Sequence, residues 1–304
     1  MPGAPIMTGN HPKAMWPGVK SWFGVGYGEH PEAYKDLFEM DTSKQAWEED
    51  VQMKGFGLMP VKNQGSPTTY VGQNQGYTSR YTHVAYSMGY IVTYEELLNN
   101  LYEKVSKSRA KALGFSKRQT RENIGALVYI RATSSSYTGG DGVALASASH
   151  PSAAGNQSNL LSPASDVCEE ALEDMIVQIM GATDDAGLKI GLMPMSLHAP
   201  RQIWFECNRI LKSTLQSETA NNAINVLKST NALPGGIKMN PYFTDTDAFG
   251  IRTNCPDGMK WYQRHSYDLK QDNDFDTDNA KAKTYDYFSC GWTDWRGYYH
   301  SAGV

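Results

Sequence analysis

The stretch VAYSMGYIVTYEELLNNLYEKVSKSRAKALGFSKRQTRENIGALVYIR, Val84 to Arg131, changes its hydrophobic period once, and that change decides the fold. Up to Val92, the residues Val84, Tyr86, Met88, Tyr90 and Val92 alternate with Ala85, Ser87, Gly89 and Ile91, the period of two of a strand with one face buried. From Tyr94 onward, Leu97, Leu98, Leu101, Val105, Ala112, Phe115, Leu127 and Ile130 keep an apolar stripe at helical spacing. This predicts one helix to about Arg131, roughly 55 Å long at 1.5 Å per residue. Thr93 and Glu96 read as a capping box, so the strand ends at Val92. Gly114 interrupts the stripe and either bends the helix or admits a close neighbour. Lys104, Lys107, Arg109, Lys111, Lys117, Arg118 and Arg121 fall along it with no acid among them. That run suits nucleic acid, an acidic partner subunit or a plain solvated face.

Working outward, Gly55 to Val92 reads as a polar hairpin running into the helix without a linker. Between Asn63 and Arg80 it holds too little aliphatic surface to fold back on its own domain, yet more Tyr than a solvated linker. The reading is an arm that packs on something else; a wet surface hairpin is the alternative. Tyr70, Tyr77, Arg80 and Tyr81 are the candidate inter-subunit contacts, being residue types enriched at interface centres. Residues 1 to 50 mix Pro2, Pro5, Pro12, Pro17 and Pro31 with Trp16, Trp22, Phe23, Tyr27 and Trp47. Such aromatics need a surface to cover, which predicts an extended arm docked on its own or neighbouring subunits, or else a compact irregular subdomain. Trp16 and Trp22 join the candidate contacts.

Beyond the helix, Thr133 to Gly142 and Ser149 to Ser165 are polar loops. Asp166 is placed to cap a helix with Glu169 at its third position, carrying Cys168, Ala171, Leu172, Met175, Ile176 and Ile179 inward and ending at Gly181. Leu188–Met193 and Met195–Ala199 read as short strands, and Pro200 as the first turn of a third helix containing Ile203, Phe205, Ile210 and Leu211. Ile237–Phe243, Ala248–Thr253, Met259–Tyr267 and Lys281–Ser289 read as strands between turn clusters, giving an α+β chain.

With 304 residues the chain buries a large core without staples, and a net charge of −4 with a pI near 6.0 argues against a dedicated DNA-binding protein. It has no run of eighteen apolar residues, and Met1–Lys20 lacks a signal peptide's apolar centre, so neither a membrane span nor ordinary secretion is expected. Cys168, Cys207, Cys255 and Cys290 are far apart, which favours free thiols in a reducing compartment over disulfides. Chemistry motifs fail their context tests. Gly24, Gly26 and Gly28 make GxGxG with no preceding strand. Asp272, Asp274, Asp276 and Asp278 imitate a calcium loop, but Thr277 and Lys283 stand where Gly and Glu are needed. His83 and His265 read as hydrogen-bonded strand residues. No catalytic residue, cofactor or metal is expected.

Four strings carry a resemblance: MTGNHPKAMWPGVKSWFG (Met7–Gly24), GGDGVALASASHP (Gly139–Pro151), LPGGIKMNPYFTDTDAFGI (Leu233–Ile251) and DFDTDNAKAKTYDYFSCGWTDWRG (Asp274–Gly297). In order and spacing they resemble the Mu-like major head subunit family of tailed phages. The resemblance implies a Hong Kong 97-type phage capsid fold: an N-terminal arm (1–50), an extended loop hairpin (51–92), a peripheral domain with a spine helix (93–142), an axial domain (143–250), return strands of the peripheral domain (251–290) and a C-terminal segment rejoining the axial domain (291–304). It further implies a major capsid protein that assembles with itself as pentamers and hexamers. Scaffold, portal and decoration proteins would be its partners, and the shell, built in the host cytoplasm, would enclose double-stranded DNA without sequence-specific contact. An encapsulin-like bacterial shell shares the fold and is one rival; a surface hydrolase or binding protein with a cleft site is the other. Some members of the wider fold cross-link a loop Lys to a neighbour, but no motif around Lys62 extends that chemistry to this chain.

Overall fold

The computed structural model describes residues 19–73, 75–98, 102–215, 223–274 and 276–304. Its backbone is the helix α4 (Tyr102–Ile130), 29 residues and roughly 43 Å long, entered through β4 (Val84–Val92) and the short helix α3 (Tyr94–Leu98). Residues 99–101, within the expected single helix, lie outside the described residues. Thr93 Oγ1 accepts from the Glu96 amide at 3.4 Å, so the predicted start holds, while the Glu96 carboxylate pairs with Arg109 at 3.0 Å. Gly114 admits a close neighbour. The helix α1 (Val19–Gly28) crosses α4 so tightly that a Cβ on Gly114 would lie 2.5 Å from Phe23 O, and one on Gly26 2.3 Å from Lys111 O. Of the GxGxG string only Gly26 serves helix packing, since a Cβ on Gly24 or Gly28 would meet nothing, and residues 19 to 50 are not an extended arm. They form α1, the turn of helix α2 (Tyr34–Leu37), β1 (Glu39–Thr42) and the start of β2 (Trp47–Met53), all seated on their own subunit.

Against α4 lies a four-stranded sheet ordered β1-β8-β9-β4, with β8 spanning Met259–Asn273 and β9 Ala280–Trp292. The strand read in Val84–Val92 forms, pairing antiparallel with β9 from Val84↔Phe288 to Val92↔Ala280 without a register shift, but its expected buried face is incomplete: Val92 is buried while Val84 and Met88 are exposed. Tyr34, Leu37, Phe38, Tyr129, Trp261, Phe288 and Tyr298 fill the space between sheet and helix. Trp261 and Phe288 stack at 4.3 Å, and each such fully buried side chain contributes roughly 1.5–3 kcal/mol.

The basic run on α4 is mostly spent inside the chain. Arg121 makes a two-point contact to Asp286 (Nε–Oδ2 2.5 Å, Nη2–Oδ1 3.0 Å) and donates to the hydroxyls of Tyr27, Tyr34 and Ser266. Lys117 donates to Ser266 Oγ, Tyr267 O and Asp268, and Arg118 to His30 O. The balancing acids come from strands about 150 residues away, which reading along the helix does not reveal.

The second sheet, ordered β10-β7-β5-β6, joins β5 (Pro194–Pro200), β6 (Ile237–Asn240), β7 (Phe249–Thr253) and β10 (Tyr298–Ser301). The helix α5 (Glu169–Met180) packs on it through Ala171, Leu172, Met175, Ile176 and Ile179. Helices α6 (Trp204–Lys212) and α7 (Val226–Ser229) flank it. Several expectations shift here. The cap of α5 is Cys168, whose Sγ accepts from the Ala171 amide, and Asp166 instead accepts from the Val304 amide at 3.0 Å. Pro200 ends β5 instead of opening α6, and Leu188–Met193 is loop, held at Lys189 by an isolated bridge to Thr183. β7 belongs to this sheet, not with the return strands β8 and β9. Tyr298 couples the two bodies: its ring packs against Tyr129 at 4.8 Å, in a space that only a glycine at position 250 leaves open.

Candidate assembly surfaces

The hairpin is built differently from its sequence reading. Its first arm is β2 and its second is β3 (Gln75–Thr82), joined antiparallel from Trp47↔Thr82 to Met53↔Gln75, so it spans 47–82. β4, read as the second arm, belongs to the large sheet. Strand period explains the error: Val84–Val92 has the better alternation, but its partner lies near residue 285, whereas Trp47–Met53 is hidden by its acids Glu48, Glu49 and Asp50.

At the root, one face of this ribbon is fastened to the body. Tyr81 packs edge-on against Tyr262 at 5.0 Å and its hydroxyl meets Thr293 Oγ1 at 2.6 Å. Asp50 Oδ2 accepts from Thr293 Oγ1 (2.8 Å), the Tyr262 hydroxyl (2.8 Å) and Lys260 Nζ (3.1 Å). Burial pushes the Asp50 carboxyl up, but these three donors outweigh it and hold it below the usual carboxylate range. Gly140 lies so close to Thr78 O, 2.8 Å from where its Cβ would be, that the turn after α4 fits against β3 only as glycine. Beneath the root is a cleft of about 620 Å³ lined by Asp50, Asp185, Asp257, Asp294 and Arg296 among others. Its carboxylates are internally matched: Asp257 with Lys260 at 2.6 Å, Asp294 and Asp185 with Arg296 at 3.2 and 3.6 Å.

The other face and the tip are unfastened. Glu49 pairs loosely with Arg80 at 3.6 Å, and the Arg80 guanidinium lies 4.4 Å over the exposed Trp47 ring. Residues 54 to 73 have no regular structure, and Leu58, Met59, Val61 and Tyr70 are all more than 80% exposed. A monomer gains nothing by leaving four such side chains in water.

The six residues singled out from sequence fall into distinct settings. Trp16 lies outside the described residues. Trp22 is half-buried against the α1–α4 cluster of Val19, Val92 and Ala110, so it is largely used within its own chain. Tyr81, at 5% exposure, is a root fastener and not a surface contact; its position on the inner face of β3 puts it under the ribbon. Tyr77 is half-buried and donates to Pro151 O at 3.1 Å. Tyr70 and Arg80 are the two that present themselves outward. Sequence reasoning misses Asp50, Thr293, Tyr262 and Lys260, which share one knot although Asp50 and Thr293 are 243 residues apart.

Several side chains of catalytic type are buried as braces. His150 bonds Asp141 (Nδ1–Oδ2 2.7 Å) and Asn159 (Nε2–Oδ1 3.0 Å) and stacks on Trp295 at 4.2 Å, with no exposed surface for a substrate. His83 is hydrogen-bonded between Ser43 and Ser289, as expected, but it is the residue between β3 and β4 and not a strand residue. All four cysteines are free thiols; burial pushes Cys207 and Cys290 up to about 12, away from reactivity. Among the described residues no three His, Cys, Asp or Glu side chains converge as a metal site requires, and no helix is long and apolar enough to cross a membrane.

No sequence-family model matches this chain, and no curated protein matches it either. Solved structures do. The virus-like particle from Pyrococcus furiosus superposes with a TM-score of 0.55 at 13% identity, covering 94% of this chain and 99% of that one. The capsid of Myoviridae phage XM1 gives 0.51 at 12% identity, with 87% and 90% covered. The chain from Mycobacterium phage Patience gives 0.51 at 11%, with 97% and 88% covered. At such identities the likeness is one of fold, and the fold is α+β of the Hong Kong 97 capsid type.

Proposed function

We propose that this chain is the major capsid protein of a tailed phage, a Mu-like major head subunit. It assembles as pentamers and hexamers into an icosahedral shell around double-stranded DNA. The observation that carries the reading is the hairpin: a root held by buried hydrogen bonds and a tip of exposed apolar side chains that have no use in a monomer. In this reading α4 with the β1-β8-β9-β4 sheet is the peripheral domain and the β10-β7-β5-β6 sheet with α5 is the axial domain. Scaffold, portal and decoration proteins are its partners, assembly takes place in the host cytoplasm, and the subunit's role is structural, with no catalytic step. Many weak contacts repeated by symmetry then give a shell far stronger than any one interface.

The test is expression of the chain, alone and with a scaffold protein, followed by electron microscopy and size-exclusion. Rings or shells are expected; a monodisperse monomer under every condition sinks the reading. A second reading, an encapsulin-like shell, is favoured by the 99% coverage of the Pyrococcus particle. Nuclease-protected DNA inside the particles supports the phage reading, and enclosed cargo protein without DNA supports the other.

A further inference from the structure

The strand β4 is an edge strand that lacks every usual protection. Natural sheets guard free edges with charges, Pro, bulges or short length. β4 has nine residues, VAYSMGYIV, with no charged residue and no proline, and its pairing to β9 is uninterrupted. Among the described residues it pairs on one side only. Val84, Met88 and Ile91 are each about half exposed, in a strand whose neighbour β9 is largely buried at alternate positions. Beside it, Tyr86 and Met88 face Ser116 and Thr120 of α4 across a groove of about 300 Å³, room for one aromatic ring. At the alternate positions Ala85, Ser87 and Gly89 are small and exposed, a shelf with no bulky side chain.

The same chain carries a segment that fits this edge. Ser66 to Gly72, SPTTYVG, is uncharged and includes four consecutive residues of high strand propensity, Thr68, Thr69, Tyr70 and Val71. All four are exposed, and none makes a backbone hydrogen bond among the described residues. We infer that Thr68–Val71 of one copy adds as a fifth strand to the β4 edge of a neighbouring copy, with the Tyr70 ring in the groove against α4. Main-chain hydrogen bonds supply the affinity and the alternating side chains the register, as in other strand-addition complexes. Tyr70 points to the α4 side, and Thr69 and Val71 then fall on the shelf over Ala85 and Ser87. The inference rests on the shell reading and names the surface that receives the arm.

The experiment mixes chains carrying Tyr70→Cys with chains carrying Met88→Cys under assembly conditions, oxidises them and reads cross-linked dimers on a non-reducing gel. The native thiols are present in every sample and set the background. The mixture is expected to give at least tenfold more dimer than either variant alone, and a further Val71→Pro change, which denies the loop its strand, to return the yield to background. Circular dichroism checks that each variant folds. Normal particles without the mixed cross-link overturn this inference and leave the shell reading standing. A mixed cross-link from chains that form no particles supports the inference against the shell reading, and monomers without a cross-link overturn both. Cross-linking of Met88→Cys to Met15→Cys in place of Tyr70→Cys assigns the edge to the N-terminal segment and overturns the loop as its occupant.

Discussion

Arg121 and Arg80 sit in opposite settings, and the contrast runs through the whole molecule. Arg121, under the first sheet, is almost closed to solvent and meets a carboxylate and several hydroxyls; Arg80, on the outer hairpin face, is more than half exposed with one loose carboxylate at 3.6 Å. Around Arg121 the donors and acceptors are matched within the chain; around Arg80, and out to Tyr70, polar and apolar groups alike are left over. A buried charge is tolerable only when paired and hydrogen-bonded, so the inner region had to be completed by its own chain. A surface awaiting a partner is free to stay incomplete.

The hardest test of this contrast is Asp286→Ala. It strands the buried Arg121 guanidinium and is expected to cost about 3–5 kcal/mol of subunit stability, read by urea unfolding. A loss below about 1 kcal/mol would break the distinction between the two arginines. Acid probes the interior of the second sheet through His198 on β5 and His300 on β10. Burial, helped at His198 by Arg252 and Lys238, lowers their imidazoles to about 3 and about 4; at His300 Asp245 opposes the fall. Because the folded values lie below the unfolded one near 6.5, the unfolded chain binds the extra protons. Stability is therefore full above pH 6.5 and falls as pH drops, by about 1.4 kcal/mol per histidine by pH 5.5, about 3 kcal/mol in all. A stability curve flat from pH 7.5 to 5.5 would contradict it, and His198→Gln with His300→Gln should flatten the curve.

Gly114→Ala sharpens the comparison by its sign. Helix propensity alone predicts a gain of up to about 1 kcal/mol, whereas the backbone of α1 at Phe23 leaves no room for a Cβ and overpacking costs about 1–3 kcal/mol. A net loss of about 1–2 kcal/mol is expected on thermal unfolding; a gain would mean that the α1–α4 crossing is looser than it stands here.

Where the sequence is legible follows the same division. The strand at Val84–Val92, the helix start at Thr93 and the stripe of α5 are local patterns, and each lies where its periodicity predicts. What escapes depends on partners distant in sequence. The pairing of β4 with β9 cannot be read from alternation, which therefore draws the hairpin one strand too late. The acids that absorb Lys117 and Arg121 lie on β8 and β9, so a helix-local count leaves those charges free. Tyr81 and Tyr70 look alike as tyrosines in a polar segment; only strand register shows that one faces Tyr262 and the other faces water. Cys168 caps α5 while Asp166 accepts from the Val304 amide, 138 residues away, a contact with no local signature.

The smallest effect on the fold, and the sharpest on assembly, is expected of Arg80→Glu. Among the described residues Arg80 meets Glu49 and the Trp47 ring, both exposed, and such surface pairs contribute about 0–1 kcal/mol. Position 80 of β3 lies directly opposite Glu49 of β2, so the new carboxylate makes a like-charge pair across the ribbon, which adds a few tenths of a kcal/mol of strain. Circular dichroism and the urea midpoint are therefore expected to move little, by under about 1 kcal/mol. At a desolvated contact the same reversal costs several kcal/mol, repeated at every symmetry-related copy, so shells should fail to form or fall apart at low subunit concentration. Raising salt should soften the defect, because screening weakens like-charge repulsion. Intact shells from Arg80→Glu would remove this face of the hairpin from the interface and leave the tip alone to make it, while a subunit that no longer folds would show that Arg80 belongs with Arg121 after all.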